Sequence, residues 1–519
     1  MPSRPRSALL SLALVVLVAI GVIIFAATRP DAPASTAAHG GVIARTAGAS
    51  TVTVENAPVA QPIPPGFVGL TTEYRGLEAY AGTNPSALDP VFEQLVRNLA
   101  PKQSPILRIG GDSTDWTWWP VPHMVTPGGV RYSLNATFLQ VASALAKNLN
   151  ARLLLGINFE ADSGRVAAAE SQALIRGLGR GRIDALELGN EPELYAAFPW
   201  YKLPDGQHVR GRPPTYDYGA FIRDFSNISR SVPREVTLAG PSMGSSMWIP
   251  LLGQFLAGNR RVGLATLHRY PLKHCSPRTQ VTIPEILSST SSTGLAASVA
   301  GAVRSAHARG VALRVDEMSA ISCGGVAGVS DSFATALWSL DALFAMARVG
   351  VDGVNVQTAP GSFNELFSVA EAKGAWQASV RPAYYGLMMF AEAAPPGSRF
   401  LRLSGAAGAG VNVWATRAPS GDVHVVLIND STTSTRTVTV RASSPGGPST
   451  LERLQAPSAH ASSGVTLGGQ SFGSETATGL LAGPANLSFV KPGSGGYVVT
   501  LPAASAALLT LYAKQSGAP

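Results

Sequence analysis

From Pro65 onward the chain alternates short apolar runs with longer stretches of helical periodicity. The apolar runs predict eight buried strands, at 66–72, 105–110, 152–158, 183–189, 235–240, 262–268, 311–316 and 351–357. Helical patterns between or after them include 89–100, 136–148, 332–349 and 384–394. Strands that are apolar along their whole length are typical of a parallel sheet covered on both faces. Eight such units predict a (β/α)8 barrel over residues 62–398, with a doubly wound open sheet as the alternative.

The pattern changes beyond Arg399, where helical periodicity stops. Short segments of alternating polarity, separated by clusters of Gly, Ser and Pro, occur at 411–416, 423–429, 435–441 and 497–501. This arrangement is typical of an antiparallel sandwich. The predicted fold is therefore α/β, a TIM barrel followed by a C-terminal antiparallel β-sandwich over residues 399–519. The strand-like segment 51–61 is a candidate additional strand of that sandwich.

The N-terminal segment 1–27 has the composition of a membrane anchor or signal segment. Positions 9–27 form an uncharged apolar run that follows Arg4 and Arg6. This run exceeds the roughly 7–15 residues of a signal-peptide core and approaches the roughly 20 that span a bilayer. We expect a single N-terminal anchor or a cleaved signal, and in either case an extracytoplasmic protein. Residues 28–50 are small, polar and proline-bearing, as in a flexible tether.

Composition limits the other partners of this 519-residue chain. The net charge of +8 could attract anionic ligands, but no cluster of Lys and Arg with interleaved aromatic residues predicts nucleic-acid binding. The two cysteines, Cys275 and Cys323, lie in the exported part, in loops that follow consecutive predicted strands. Oxidising export favours a disulfide between them, with two free thiols as the alternative. They lack the number and spacing of a structural metal site.

Two of the predicted strands lead into a glutamate, Glu191 in IDALELGNE and Glu317 in VALRVDE. The carboxyl ends of all strands of a barrel meet at one face, so we expect both carboxylates there. Retaining glycosidases use such a pair, in which one carboxyl protonates the leaving oxygen and the other, about 5–5.5 Å away, attacks the sugar. The alternatives are a first-turn helix acid for Glu191 and a salt bridge to Arg314 for Glu317.

Asp316 and Glu193 are the competing carboxylates in these two segments. Alternation along a strand predicts that Asp316 lies on the opposite side from Glu317, and Glu193 lies past the turn at Pro192. We therefore take Glu191 and Glu317 as the candidate catalytic pair.

Several motifs together resemble those of the family 79 glycoside hydrolases, which include β-glucuronidases and heparanase-like enzymes. LGNEP at 188–192 resembles the strand-four motif of the barrel glycosidase clan, and Asp316-Glu317 followed by Cys323-Gly324-Gly325 resembles the family's nucleophile strand. Also similar are RIGGDSTDW at 108–116, LHRYP at 267–271 and GVDGVNVQ at 350–357 with the later RPAYYGLMMF. The resemblance covers residues 60–515.

The resemblance implies a role for each matching residue. Glu191 would be the acid/base and Glu317 the nucleophile. Asn190 would bind the sugar 2-hydroxyl, and Tyr270 would orient Glu317.

Polar residues at the ends of other strands are candidate sugar-binding groups. They are Glu73 after the first strand, Asp112, Ser113 and Thr114 after the second, and Asn158 after the third. For the three residues 112–114 a turn closed by side-chain to backbone bonds is the alternative. Trp116, Trp118 and Trp119 could stack on a sugar ring or pack together within the loop.

A uronate carboxylate requires cationic or hydrogen-bonding donors. His268, Arg269, Lys273 and His274 follow the sixth strand and are candidates, with a solvated loop as the alternative. The family resemblance implies that the loop after the eighth strand also holds the carboxylate, partly through tyrosine hydroxyls. In this chain the loop reads Gly361-Ser362-Phe363-Asn364 without a tyrosine, and Asn364 is its polar candidate.

Two other functions compete with a glycosidase. GPSMG at 240–244 formally matches a nucleophile elbow, so a serine hydrolase would use Ser242 with Asp316 and His424. An anchored β-sandwich would also suit a non-catalytic carbohydrate-binding surface protein, although the presence of both glutamates argues against it. We therefore predict a retaining β-glycosidase that acts on glucuronides. Its expected partners are a carbohydrate and, through the segment 1–27, a membrane, and its chemistry requires no metal or organic cofactor.

Overall fold

The computed structural model describes residues 50–442 and 446–513, so the expected anchor at 1–27 lies outside the described residues, as does all of the tether except Ser50. Eight parallel strands close into a barrel, which confirms the predicted fold and excludes the open sheet. The strands are β1 (Val68–Glu73), β2 (Ile106–Gly110), β3 (Arg152–Ile157), β4 (Ile183–Leu188), β5 (Leu238–Met243), β6 (Val262–Arg269), β7 (Ala312–Met318) and β8 (Gly353–Gln357).

Helices follow the strands and cover the barrel. They are α1 (Tyr74–Ala81), α2 (Pro90–Leu99), α3 (Ala136–Leu149), α4 (Gly164–Leu178), α5 (Tyr218–Ile228), α6 (Leu252–Gly258), α7 (Ile283–Ile286), α8 (Leu295–His307), α9 (Phe333–Arg348) and α10 (Pro382–Ala393). Several begin at a polar side chain that accepts from a first-turn amide, as Asp89 does from Val91 and Asn135 from Phe138. These caps explain why the helical patterns could be located to within a few residues.

The C-terminal region forms one ten-stranded, mostly antiparallel sheet. Its strands are Thr51–Pro58, Arg399–Ala406, Val411–Arg417, Val423–Asn429, Arg436–Ala442, Gly446–Gln455, Thr466–Leu467, Ser488–Phe489, Tyr497–Leu501 and Ser505–Ala513. The segment Thr51–Pro58 pairs antiparallel with Arg399–Ala406 and parallel with Arg436–Ala442. The strands of this sheet enclose a hydrophobic core that is separate from that of the barrel and includes Val54, Leu427 and Leu509.

Helix α9 is buried along its length, and residues of the C-terminal sheet pack against it. Phe344 of α9 stacks on Trp414 with ring centroids 5.8 Å apart, and Nε1 of Trp414 donates to Asp341 over 2.6 Å. The backbone amide of Phe333 at the start of α9 donates to the carbonyl of Ala461. The C-terminal region therefore packs against the barrel at α9, the helix that follows β7.

Short two-stranded sheets lie in the loops that follow the barrel strands, two of them antiparallel and the one after β2 parallel. Pro199–Lys202 pairs with His208–Arg210 after β4, and Phe367–Ala372 pairs with Ala375–Val380 after β8. Thr117–Trp118 pairs with Tyr132–Ser133 after β2. Across residues 50–442 and 446–513, no helix combines the length and the apolar character that a membrane span needs.

Candidate active site

The two candidate catalytic glutamates lie on either side of His268. Glu191 follows β4 with a left-handed φ of 45°, and Glu317 is the penultimate residue of β7. Nδ1 of His268 lies 3.0 Å from Oε1 of Glu191 and 3.9 Å from Oε1 of Glu317, so the separation of these two oxygens cannot exceed the sum of the two distances. The carboxylates thus meet at the carboxyl end of the barrel, where such folds place their catalytic groups.

Glu317 is surrounded by donors that favour its charged form. Nη1 of Arg108 donates to Oε2 over 2.8 Å, and the hydroxyl of Tyr270 donates to Oε1 over 2.6 Å. Burial by itself raises the pKa of Glu317, but the charges of His268 and Arg108 and the bond from Tyr270 outweigh it and hold the pKa below its usual value. Arg314, the neighbour considered as its salt-bridge partner, instead bonds to Asn355 and the carbonyl of Gly66.

The environment of Glu191 differs from that of Glu317. Its side chain is 22% exposed, compared with 9% for Glu317. It makes no capping bond to the short turn Pro192–Leu194, so it is not the first-turn helix acid considered as an alternative. A methyl group built on Gly244 would lie 2.6 Å from Oε1 of Glu191, so the glycine leaves room for the carboxylate. Solvent access and close packing suit a group that exchanges protons with a substrate and water.

Arg108 is a site residue that the sequence reasoning did not single out. It lies in β2 with no exposed surface, and its guanidinium contacts three carboxylates. The nearest distances are 2.7 Å to Glu187, 2.9 Å to Asp316 and 2.8 Å to Glu317. A sequence signal existed, because Arg108, Glu187 and Asp316 are charged residues inside strands predicted to be buried, and buried charges must pair.

The predicted position of Asp316 is wrong. Strict alternation would place it on the opposite side of β7 from Glu317, yet both carboxylates contact Arg108. The pairing of β7 with β8 shifts register between Val315 and Met318, so alternation does not hold there. Burial and the charge of Glu187 raise the pKa of Asp316 well above its usual range. Burial also acts to raise the pKa of Glu187, but the charge of Arg108 and a hydrogen bond with Asp316 outweigh it and lower that pKa. The neutral form is thus favoured at Asp316 and the charged form at Glu187.

His268 lies between the two candidate catalytic glutamates. It has no exposed surface, which corrects its expected role in substrate binding. Burial lowers its pKa, but the charges of Glu317 and Asp316 and the bond to Glu191 outweigh burial and raise the pKa to about 10. The ring is therefore charged near neutral pH and lies between the two candidate carboxylates.

The alternative serine hydrolase arrangement is absent from the described residues. Oγ of Ser242 does lie 2.9 Å from Nε2 of His268. The other ring nitrogen of His268, Nδ1, lies 3.0 Å from Oε1 of Glu191. However, Ser242 has no exposed surface, so no substrate carbonyl can reach it. His424, the predicted partner, lies in the C-terminal sheet with its Nδ1 2.9 Å from the carbonyl oxygen of Ala393.

Asn190 is fixed at the edge of the site by several hydrogen bonds. Its backbone N–H donates to Asp115 over 3.1 Å. In its side chain, Oδ1 accepts from Arg108 over 3.0 Å and Nδ2 donates to Asp112 over 3.3 Å. Asp115 is itself held by the hydroxyl of Tyr195 over 2.7 Å. Asp115 and Tyr195 were not predicted as site residues, because their role depends on contacts between distant loops.

Of the candidate sugar-binding residues, Glu73 and Asp112 lie near the catalytic pair. Burial and the charge of Glu317 raise the pKa of Glu73 to about 7, although bonds from Ser113 lower it. Three other candidates do not line the cleft, which corrects the prediction. Thr114 and Asn158 have no exposed surface, and the hydroxyl of Ser113 bonds to backbone groups of Tyr74 and Gly110. They stabilise the loops beneath the site.

The remaining loop candidates are also structural. Asn364 is buried and donates from Nδ2 to the carbonyl of Ile321 over 2.6 Å, so it joins the loops after β8 and β7 and does not face a substrate. Trp118 is buried and bonds to Ser133, and Trp116 lies under the guanidinium of Arg131 at 4.1 Å.

A disulfide joins Cys275 and Cys323 and thereby ties the loop after β6 to the loop after β7. The backbone of Leu272 also bonds to Ala320 and Ser322 across the same loops. Tyr270 and Glu317 belong to these two connected segments. Lys273 is exposed in the first of the two loops.

Comparisons with known proteins agree with this architecture. Residues 413–508 match the family model described as the glycosyl hydrolase family 79 C-terminal beta domain. A curated β-glucuronidase from Neurospora crassa is 21% identical over 348 residues, and the alignment spans 59% of each chain.

Solved structures give the same picture of the fold. A 4-O-α-L-rhamnosyl-β-D-glucuronidase from Fusarium oxysporum is 18% identical with a TM-score of 0.67, covering 88% of this chain and all of its own. A family 51 arabinofuranosidase from Xanthomonas axonopodis is 17% identical with a TM-score of 0.63, covering 89% of this chain and all of its own. At these identities the likeness concerns the fold.

Proposed function

We propose that this chain is a retaining β-glycosidase that hydrolyses β-glucuronides, on the basis of its similarity to the family 79 glycoside hydrolases. Glu317 acts as the nucleophile and Glu191 as the acid/base.

The observation that carries this proposal is the closeness of the two carboxylates. Their facing oxygens lie 3.0 Å and 3.9 Å from the same atom, Nδ1 of His268. Retaining enzymes hold their carboxyl groups about 5–5.5 Å apart, and inverting enzymes about 6.5–9.5 Å apart to admit a water. The upper bound set by the two distances, about 7 Å, excludes most of the inverting range and includes the retaining one.

In the first step, an oxygen of Glu317 attacks the anomeric carbon while the bond from that carbon to the leaving oxygen breaks. The proton of Glu191 moves to the leaving oxygen, so the aglycone departs as a neutral alcohol. Arg108, His268 and Tyr270 keep Glu317 ionised before this step, which supports its assignment as the nucleophile.

In the second step, water attacks the anomeric carbon and the ester bond to Glu317 breaks. Glu191 takes the proton of that water and returns to its acid form. Because Glu191 gave up its proton in the first step, it is ionised at this point and can act as a base. One pair of groups can therefore serve both steps.

The choice of sugar is supported by the names of the similar proteins. One is a β-glucuronidase and another a rhamnosyl-glucuronidase. A purified full chain should release 4-nitrophenol from the β-glucuronide faster than from the β-glucoside. The opposite preference would refute the sugar assignment, and binding without release would instead favour the non-catalytic carbohydrate-binding protein.

Stereochemistry tests the mechanism separately. Proton NMR of the first minutes of hydrolysis should show the β-anomer of the free sugar before mutarotation. Initial appearance of the α-anomer would refute double displacement.

We also propose that the protein is exported and held at a membrane by the segment 1–27. The uncharged apolar run at 9–27 supports an anchor, and the exposed disulfide suits an oxidising compartment. Immunoblots of membrane and medium fractions test this proposal. A shortened protein found only in the medium would contradict anchoring.

A further inference from the structure

Arg269 is a half-buried cation without an acidic partner. It is the last residue of β6 and lies between His268 and Tyr270, which contact the two catalytic glutamates. Within the described residues it forms no ion pair, and its hydrogen bonding is limited to a long contact of 3.4 Å from Nη1 to the carbonyl of Gly244. Its Nε is buried and has no partner in that part of the chain. Burial lowers its pKa.

Two buried arginines near this end of the barrel are paired with carboxylates. Arg108 contacts three carboxylates, and Arg212 forms ion pairs with Asp162 at 3.2 Å and Asp224 at 3.0 Å. A desolvated guanidinium that lacks such partners is unfavourable in the free protein. Arg269 therefore differs from its neighbours in having donors available for a ligand.

The position of Arg269 indicates which part of a substrate it would meet. Gly244, which it contacts, packs against Oε1 of Glu191. Glu193 is the other carboxylate that contacts Gly244. It accepts hydrogen bonds from the backbone amides of Gly244 and Ser245 and, within the described residues, forms no ion pair with Arg269. The acid/base lies beside the leaving oxygen, so a group beyond Glu191 faces the leaving group.

We propose that Arg269 binds a carboxylate on the leaving group of the substrate, in a subsite next to Glu191. This inference rests on the proposed function, because it takes Glu191 as the acid/base. A guanidinium presents its donors in a planar fork that matches the two oxygens of a carboxylate. Exposed cations on the adjoining loops, among them Lys202, Arg210 and Lys273, add an attractive field for an anionic leaving group.

Four substrates test the proposal, formed by combining two sugars with two leaving groups. The sugars are β-glucuronide and β-glucoside, and the leaving groups are 3-carboxyphenol and its uncharged amide, 3-carbamoylphenol. The full chain and its Arg269→Gln variant are compared by kcat/KM on all four. Arg278→Gln is the matched control, since it removes the same charge from an exposed position in the loop that follows β6.

The wild-type chain should prefer the carboxylate leaving group on either sugar, and Arg269→Gln should lose about 10- to 100-fold of that preference, the worth of a charge-assisted hydrogen bond. The control should retain the preference to within about two-fold. Binding of the corresponding thioglycosides, measured by calorimetry, should show the same loss in Kd and does not depend on turnover.

Two results would overturn the proposal. If Arg269→Gln lost discrimination between the sugars and kept the leaving-group preference, Arg269 would bind the carboxylate of the sugar instead. If neither preference changed, it would bind no carboxylate. Failure of the proposed function is distinguishable, because it would appear as a wild-type preference for the glucoside whatever the leaving group.

Discussion

The hydroxyl of Tyr270, in the loop after β6, donates a hydrogen bond of 2.6 Å to Oε1 of Glu317 in β7, and a disulfide joins the loops that follow these two strands. Together with the charges of His268 and Arg108, this bond favours the ionised form of a buried carboxylate, whose pKa burial alone would raise. The proposed nucleophile is thus supported by residues of β2 and β6 and of the loop after β6.

Removing this bond should change the pH dependence of the reaction. In Tyr270→Phe the pKa of Glu317 rises, since a donor to its charged form is lost. Because Glu317 must be ionised to attack, the acidic limb of the kcat/KM profile should move to higher pH. At pH values below this limb, kcat/KM should be about 10- to 100-fold lower than in the wild type. Tyr218→Phe is the control, because the Tyr218 hydroxyl bonds to Leu251 away from the site. Identical profiles for wild type and Tyr270→Phe would contradict the assignment.

The two catalytic glutamates should respond differently to loss of charge. Glu317→Gln should lose several orders of magnitude in kcat for every substrate, because no covalent intermediate can form. Glu191→Gln should lose most with leaving groups of high pKa and least with 4-nitrophenol, which departs without a proton. Rates across a series of aryl β-glucuronides measure this difference. Equal losses across that series for Glu191→Gln would exclude it as the acid.

The opposite pKa shifts of Asp316 and Glu187 predict unequal effects of two similar changes. Asp316→Asn replaces a group whose neutral form is favoured and should lower the free energy of unfolding by less than about 1 kcal/mol. Glu187→Gln removes a charge that faces Arg108 and should cost about 3 kcal/mol or more. Urea unfolding of the two variants provides the comparison, and equal losses would contradict the opposite shifts.

A second pair of carboxylates lies between the barrel and the C-terminal sheet. Nδ2 of Asn412 donates to Asp341 over 3.1 Å and to Asp430 over 2.8 Å. Burial and the charge of Asp341 raise the pKa of Asp430 to about 8. Because the pKa of Asp430 is higher in the folded state than in the unfolded state, protonation of Asp430 stabilises the fold. This stabilisation is fully present below the unfolded pKa of about 4 and is lost as pH rises to about 8.

Asp430→Asn should therefore flatten the decline of Tm between about pH 5 and about pH 8 and give a higher Tm than wild type at the upper end of that window. The introduced asparagine would still accept the bond from Asn412, so little contact is lost. Asp205→Asn, in an exposed hairpin turn, should keep the wild-type slope. A steeper decline in Asp430→Asn would contradict the raised pKa.

The sequence carried strong signals for the architecture and for the glutamates. Apolar strands and capped helices have local causes, so their patterns predicted the barrel and the C-terminal sheet. Glu191 and Glu317 could be singled out because each follows an apolar run that ends at one face of a barrel. The cysteines were likewise predicted to pair from the compartment and from their place after consecutive strands.

The sequence by itself thus determined where the strands and helices lie along the chain and that both glutamates follow apolar strands, because these depend on periodicity along the chain. The closure of the eight strands into a barrel was decided by the tertiary structure. Tertiary structure alone decided which polar groups reach the cleft. Arg108 became the centre of the site because three strands direct charges into one buried space, whereas Thr114 and Asn158 were covered by neighbouring loops. Burial and ionisation depend on residues that are distant in the chain, and no local pattern records those contacts.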